Sequence, residues 1–94
     1  MTSMHQLSKE VTGGVDTHGE VHVAAVVDVI GRIVATESFR ADGAGYRRLL
    51  RWMQCHGDVV RVGVEGTGSY GAGLARYLKD EGVEVVEVNR PDRQ

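Results

Sequence analysis

The run Val21–Asp28 (VHVAAVVD) constrains this chain more than any other stretch. It is nearly all apolar and β-branched, which suits a strand buried on both faces. Such a strand needs neighbours, and the sequence supplies them on either side. Gly13-Gly14-Val15-Asp16-Thr17 reads as a short strand that ends in polar residues. Asp28-Val29-Ile30-Gly31 reads as a hairpin turn, with Gly31 free to take positive φ. From Arg32 to Phe39, Ile33, Ala35, Glu37 and Phe39 alternate with Val34, Thr36 and Ser38, the pattern of a third strand. The three runs form a meander joined by short turns.

The second half has a different rhythm. Asp42 is a good N-cap, and Tyr46, Leu49, Leu50 and Met53 then recur at helical spacing, with Gly57 expected to end that helix. Val60–Glu65 (VRVGVE) is a strand, Gly66-Thr67-Gly68 a loop, and Ser69 the expected cap of a second helix carrying Leu74, Tyr77 and Leu78. Gly82 stops it, and Val83–Val88 (VEVVEV) is a fifth strand. The order is β-β-β-α-β-α-β. Its last part is a βαβ unit, which calls for parallel strands. The fold class is therefore α/β, a mixed sheet with helices packed on it, in the order of the RNase-H-like fold. Nucleases, transposases and the sugar-kinase and actin-like ATPases share that order.

The chain has 94 residues, 41% hydrophobic and 26% charged, which allows one small globular domain or a piece of a larger one. Residues 1 to 11 are polar and aperiodic and are expected to form a flexible arm, leaving 12–94 as the domain. The formal net charge of -2 announces no global basic field, which does not exclude a local site where a cation offsets repulsion between carboxylates and phosphates. The single cysteine, Cys55, has no internal partner and reads as an idle thiol. No secretory h-region and no apolar run of membrane-spanning length occurs, so the cytoplasm is the expected location.

Two acids stand at strand ends. Asp16 closes the first strand and Glu65 the fourth. In the order above these strands are parallel neighbours, about 4.8 Å apart, and open α/β sheets place ligands at such C-terminal ends. Carboxylates held that close repel each other unless a cation sits between them. Magnesium takes oxygen ligands, and two such ions roughly 3.5 to 4 Å apart can drive phosphodiester cleavage. On pattern alone a second reading stays open, with Asp16 a turn residue and Glu65 a surface acid. Asp28 lies at the far end of its strand, Glu84 and Glu87 alternate faces, and Asp92 sits in the tail.

Gly66-Thr67-Gly68-Ser69-Tyr70-Gly71 matches G-x-G-x-x-G between a strand and a helix, with Glu87 about 20 residues further on. That supports an alternative, a nucleotide-binding module with a pyrophosphate on the helix N-terminus. The same backbone could instead hold a nucleic-acid phosphate, or simply make a tight turn. Two points weigh against a dinucleotide: three strands precede the loop, and Glu65 puts a negative charge beside it. His18 and His22 are a weak zinc signal without a cysteine partner. His22 is expected to be buried and hydrogen-bonded, or near the acids. Trp52, Tyr46 and Tyr77 read as core or helix-face residues, and Arg47, Arg48 and Arg51 as a solvated face.

Three segments together resemble a known family. Gly14-Val15-Asp16-Thr17-His18 with His22-Val23-Ala24, then Val64-Glu65-Gly66-Thr67-Gly68-Ser69-Tyr70-Gly71, then Val86-Glu87-Val88-Asn89-Arg90-Pro91, resemble the insertion sequence 110 family of transposases, in the family's order. The resemblance runs from about Val11 to Arg93. It implies a RuvC-like N-terminal catalytic domain whose DEDD acids bind magnesium, with Asp16 matching the first Asp and Glu65 the Glu. Nucleic-acid or phosphate contacts are expected at Gly66, Thr67, Gly68, Ser69, Arg90 and Arg93. The family's two later Asp residues and its serine-bearing second domain fall in stretches this sequence does not contain. The expectation is thus a partial, C-terminally incomplete domain of a transposase or recombinase, inactive alone. Its partners would be DNA, a guide RNA and further copies of itself.

Overall fold

The computed structural model describes residues 9–89. Five strands and two helices follow one another as β1 (Glu10–Thr17), β2 (Val21–Val27), β3 (Ile33–Arg40), α1 (Gly43–Gln54), β4 (Asp58–Glu65), α2 (Ala72–Asp80) and β5 (Glu84–Val88). They make one sheet in the order β3-β2-β1-β4-β5. β1, β2 and β3 pair antiparallel, while β4 runs parallel to both β1 and β5. That is the mixed sheet, with helices packed on it, that the element order predicts. Among the described residues no helix is long and apolar enough to cross a membrane.

Local chemistry explains the turns. Asp28 accepts the N–H groups of Ile30 and Arg32 on one carboxylate oxygen, and Gly31 takes φ 88° to reverse the chain. These bonds, the Arg32 N–H first, hold the Asp28 carboxyl below its ordinary pKa. This acid is thereby committed to its hairpin, far from the other strand ends. Asp42 caps α1 by accepting the Gly45 N–H at 2.8 Å.

Both helices lie on one face of the sheet. Val11 and Val15 of β1, Ala24 and Val26 of β2, Phe39 of β3 and Val62 and Val64 of β4 point at Leu49, Leu50, Met53, Leu74 and Leu78. Each large aliphatic side chain buried there contributes roughly 1.5–3 kcal/mol of gross stabilisation. Tyr46, Trp52 and Tyr77 pack against this core, as expected from their spacing.

The structure revises four local expectations. β1 begins at Glu10, so Glu10 and Val11, read from composition as part of the arm, are strand. Glu10 pairs with Asp58 and Val11 with Val59, partners that only the folded sheet provides. The arm up to Ser8 lies outside the described residues. α1 ends at Gln54 with Cys55 as its cap, ahead of Gly57. The cap of α2 is Gly71 rather than Ser69, because the glycine loop makes an extra turn first. Finally, β2 is covered on one face only. Ala24, Val26 and His22 face the helices, whereas Val21 and Val23 are 41% and 38% exposed on the other side.

His22 is fully buried against Thr17 and Phe39 across the strands and stacks on the Tyr46 ring. The expectation of a hydrogen-bonded ring fails: neither ring nitrogen has a hydrogen-bond partner among the described residues. Burial pushes the imidazole pKa below its usual value, His18 adds to the shift, and the Val21 backbone offsets part of it without reaching hydrogen-bonding geometry. The folded state therefore holds His22 neutral, whereas the unfolded chain takes up a proton below about pH 6.5. Stability is fully present above that pH and falls as pH drops toward the depressed folded value, by up to about 1.4 kcal/mol per pH unit. Urea midpoints of the parent and of His22→Phe between pH 8 and pH 5 are expected to diverge only below pH 6.5. Parallel curves would contradict this assignment.

Candidate metal centre

The parallel ladder between β1 and β4 aligns Val15 with Val64, so Asp16 and Glu65 are the next residues side by side. Val15, Thr17 and Val64 point into the core, and strand alternation sends Asp16 and Glu65 to the opposite, helix-free face. Both carboxylates line one trough there, about 530 Å3 in volume, whose floor is Gly14 and Gly63 and whose walls include Val23, Val86 and Val88. The sequence placed this pair correctly on adjacent strand ends.

Two neighbours of the acids escaped sequence reasoning. Thr17 is buried, and its Oγ1 donates to the Glu65 carbonyl at 3.0 Å, tying the ends of β1 and β4 together. His18 Nε2 lies 3.5 Å from the Asp16 carboxylate, with both side chains about half exposed. The tripeptide Asp-Thr-His at a strand end was the available signal. Thr17→Val is expected to cost about 1 kcal/mol through the lost bond, read as a lower urea midpoint, and to weaken any divalent-cation response by loosening Glu65. An unchanged midpoint would show that the bond contributes nothing.

The glycine loop sits beside the acids. Glu65 also lines a second cavity of about 500 Å3, together with Thr17, His18, Thr67, Ser69 and Glu87. Gly66 takes φ 66°, and its carbonyl accepts the N–H groups of both Ser69 and Gly71, at 2.9 and 2.8 Å. Two of the N–H groups that a phosphate cradle would use thus turn inward. A Cβ on Gly71 would stand 2.4 Å from the Glu65 carbonyl, so this glycine allows α2 to start hard against β4. Glu87, the acid at the dinucleotide spacing, accepts a hydrogen bond from the Thr67 hydroxyl across the mouth of the loop. A pyrophosphate here would face Glu65 and Glu87 together, which disfavours the nucleotide-module reading.

Oxygen donors at solvent-reachable strand ends suit a hard divalent cation. Among the described residues no group of three or more acids, histidines or cysteines gathers to enclose one. Within the described residues Asp16 and Glu65 are thus two neighbouring acids and not a closed cage. Asn89, just after β5, lines the loop-side cavity. Arg90, Asp92 and Arg93 lie outside the described residues.

The family model of DEDD transposases of the insertion sequence 110 type, described as "Transposase", matches residues 13–93. No curated protein matches the chain. Among solved structures, LC11-RNase H1 in complex with an RNA/DNA hybrid is similar at 16% identity, covering 88% of this chain and 85% of that one, with a TM-score of 0.43.

Proposed function

The chain belongs to the DEDD transposases of the insertion sequence 110 family, and from that premise we propose that it forms part of the catalytic domain of a DNA transposase or recombinase, with Asp16 and Glu65 as two of its magnesium ligands. The observation that carries this reading is the side-by-side placement of the two acids on parallel strands, on the face the helices leave open. Residues 12–94 are the domain portion concerned, and the remaining acids would come from outside the described residues.

Within the proposal, the chain's own groups have distinct tasks. Asp16 and Glu65 hold the cation from adjacent strands. Thr17 fixes the Glu65 backbone. His18, beside Asp16, orients that carboxylate. Gly66, Thr67, Gly68 and Ser69 border the site where a phosphate of the substrate strand would pass, and Arg90 and Arg93, later in the sequence, are assigned phosphate contact in the same reading. Bound magnesium supplies charge neutralisation and activation of the attacking oxygen in phosphodiester cleavage. A guide RNA, a homo-oligomer and cytoplasmic action belong to the same reading through the family.

The direct test is calorimetric titration of the chain with Mg2+ and Mn2+. Saturable binding that Asp16→Asn and Glu65→Gln each remove supports the proposal. Binding by both variants at parental affinity would refute the assignment. Parallel titration with NAD and ATP addresses the alternative module, and micromolar binding of either would favour it.

A further inference from the structure

Among the described residues, the arginines of α1 form none of the ion pairs found in the molecule. A helix turns about 100° per residue, so Arg47, Arg51 and Arg48 fall within a single arc, with Ala44 among them. All three are exposed. Leu49, Leu50 and Met53 occupy the buried side. The helix carries no acidic residue. From Arg32 to Arg51 the chain has five arginines against two acids, Glu37 and Asp42, in a protein whose net charge is -2.

Neither acid forms an ion pair with the arc among the described residues, and Asp42 feels the Arg48 charge only as the least of the influences on its carboxyl. The Asp42 carboxylate accepts the Gly45 N–H and pairs with Arg40 at 3.3 Å. Glu37 borders a groove beside Arg48 and Arg40, between β3 and the start of α1, without an ion pair to either among the described residues. Arg47 and Arg51, spaced i and i+4, are like charges that cost an isolated helix a few tenths of a kcal/mol. The arrangement therefore works against the helix on its own. A polyanion laid along it would reverse that sign.

Resting on the nucleic-acid reading above, we propose that the exposed face of α1 is a docking surface for the sugar–phosphate backbone of a nucleic-acid duplex. Arg47 and Arg51 are separated by about 6 Å of helix axis, and phosphates on one strand advance about 3.4 Å per nucleotide. Three guanidinium groups at that spacing match two or three successive phosphates and read no sequence. The sheet lies between this face and Asp16 and Glu65, because the helices and the acids are on opposite sides of it. The duplex held by α1 is thus a different segment from the strand at the carboxylates.

The test measures binding of fluorescent duplex DNA and duplex RNA of equal length to the full chain across 50 to 200 mM salt. It compares the parent with the triple variant Arg47→Gln, Arg48→Gln, Arg51→Gln. A charge-matched control carries Arg32→Gln, Arg76→Gln and Lys79→Gln. Urea midpoints establish that each is folded. The α1 variant is expected to lose on the order of a hundredfold in affinity, with a salt slope shallower by about 2 to 3. The control should lose far less. Loss on both duplexes assigns the surface to backbone in general, and loss on RNA alone assigns it to RNA. Equal losses in the two triple variants would overturn the proposal. Failure of the parent to bind either duplex would overturn it too, while the magnesium titration separately decides the reading of Asp16 and Glu65.

Discussion

Replacing Gly45 by alanine is expected to destabilise the chain by about 3 kcal/mol, although the same change inside an ordinary helix is stabilising. Gly45 is buried in the first turn of α1, where the helix crosses the end of β3. A Cβ there would stand 1.8 Å from the Arg40 carbonyl oxygen and 2.7 Å from its carbon. Both are backbone atoms held by the pairing of Arg40 with Val21, so no side-chain rotation relieves the clash. Moving the helix away would also stretch the bond from the Gly45 N–H to Asp42, a cap with a typical value of about 1 kcal/mol. A domain with a total stability on the order of 5–15 kcal/mol loses much of its margin. Gly43→Ala is the internal comparison. A Cβ there meets only the end of the Arg47 side chain at 3.7 Å, and the variant should be neutral or slightly more stable. If urea denaturation found Gly45→Ala as stable as Gly43→Ala, the packing of α1 on β3 described above would be wrong.

The second large effect is chemical. Asp16→Asn and Glu65→Gln keep the shape of each side chain and remove its charge. Under the proposed function each is expected to lower magnesium-dependent strand processing on the order of a hundredfold to a thousandfold, the scale for removing one preorganised electrostatic group. The double variant should be little worse than either single one, because a cation that has lost one carboxylate no longer sits where the other can use it. Both acids lie at the solvent-reachable trough rather than in the core, so the melting temperature in chelator should change by little. Magnesium should raise the parent's melting temperature, by linkage, and leave the variants unmoved. A variant that retains the parental magnesium response would remove its residue from the site.

Much of this was legible in the chain itself. Short apolar runs punctuated by Asp28, Gly31, Asp42 and Gly82 gave the number and order of elements, and that order brings Asp16 beside Glu65. What stayed hidden depends on partners distant in sequence. In VHVAAVVD both alternating sets of positions are rich in valine and alanine, so alternation cannot say which set faces inward. The folded sheet buries the set containing the one polar side chain, His22, because its neighbours Thr17 and Phe39 lie on the helix side. Val11 looked like tail until Val59 was placed next to it. Thr17 and His18 gained their roles only through the exact positions of Glu65 and Asp16.

The bond from Thr17 to the Glu65 carbonyl spans 48 residues, and that distance gives the site a time of birth. The β1–β2–β3 meander can close by local turns while the chain is still being made. The β1–β4 pairing is non-local and must wait for α1 and β4 to be synthesised and docked. A nascent chain halted between the end of β3 and Glu65 would carry Asp16 on a formed meander and yet lack Glu65 beside it. Assembly of the two acids is thereby tied to completion of the central sheet.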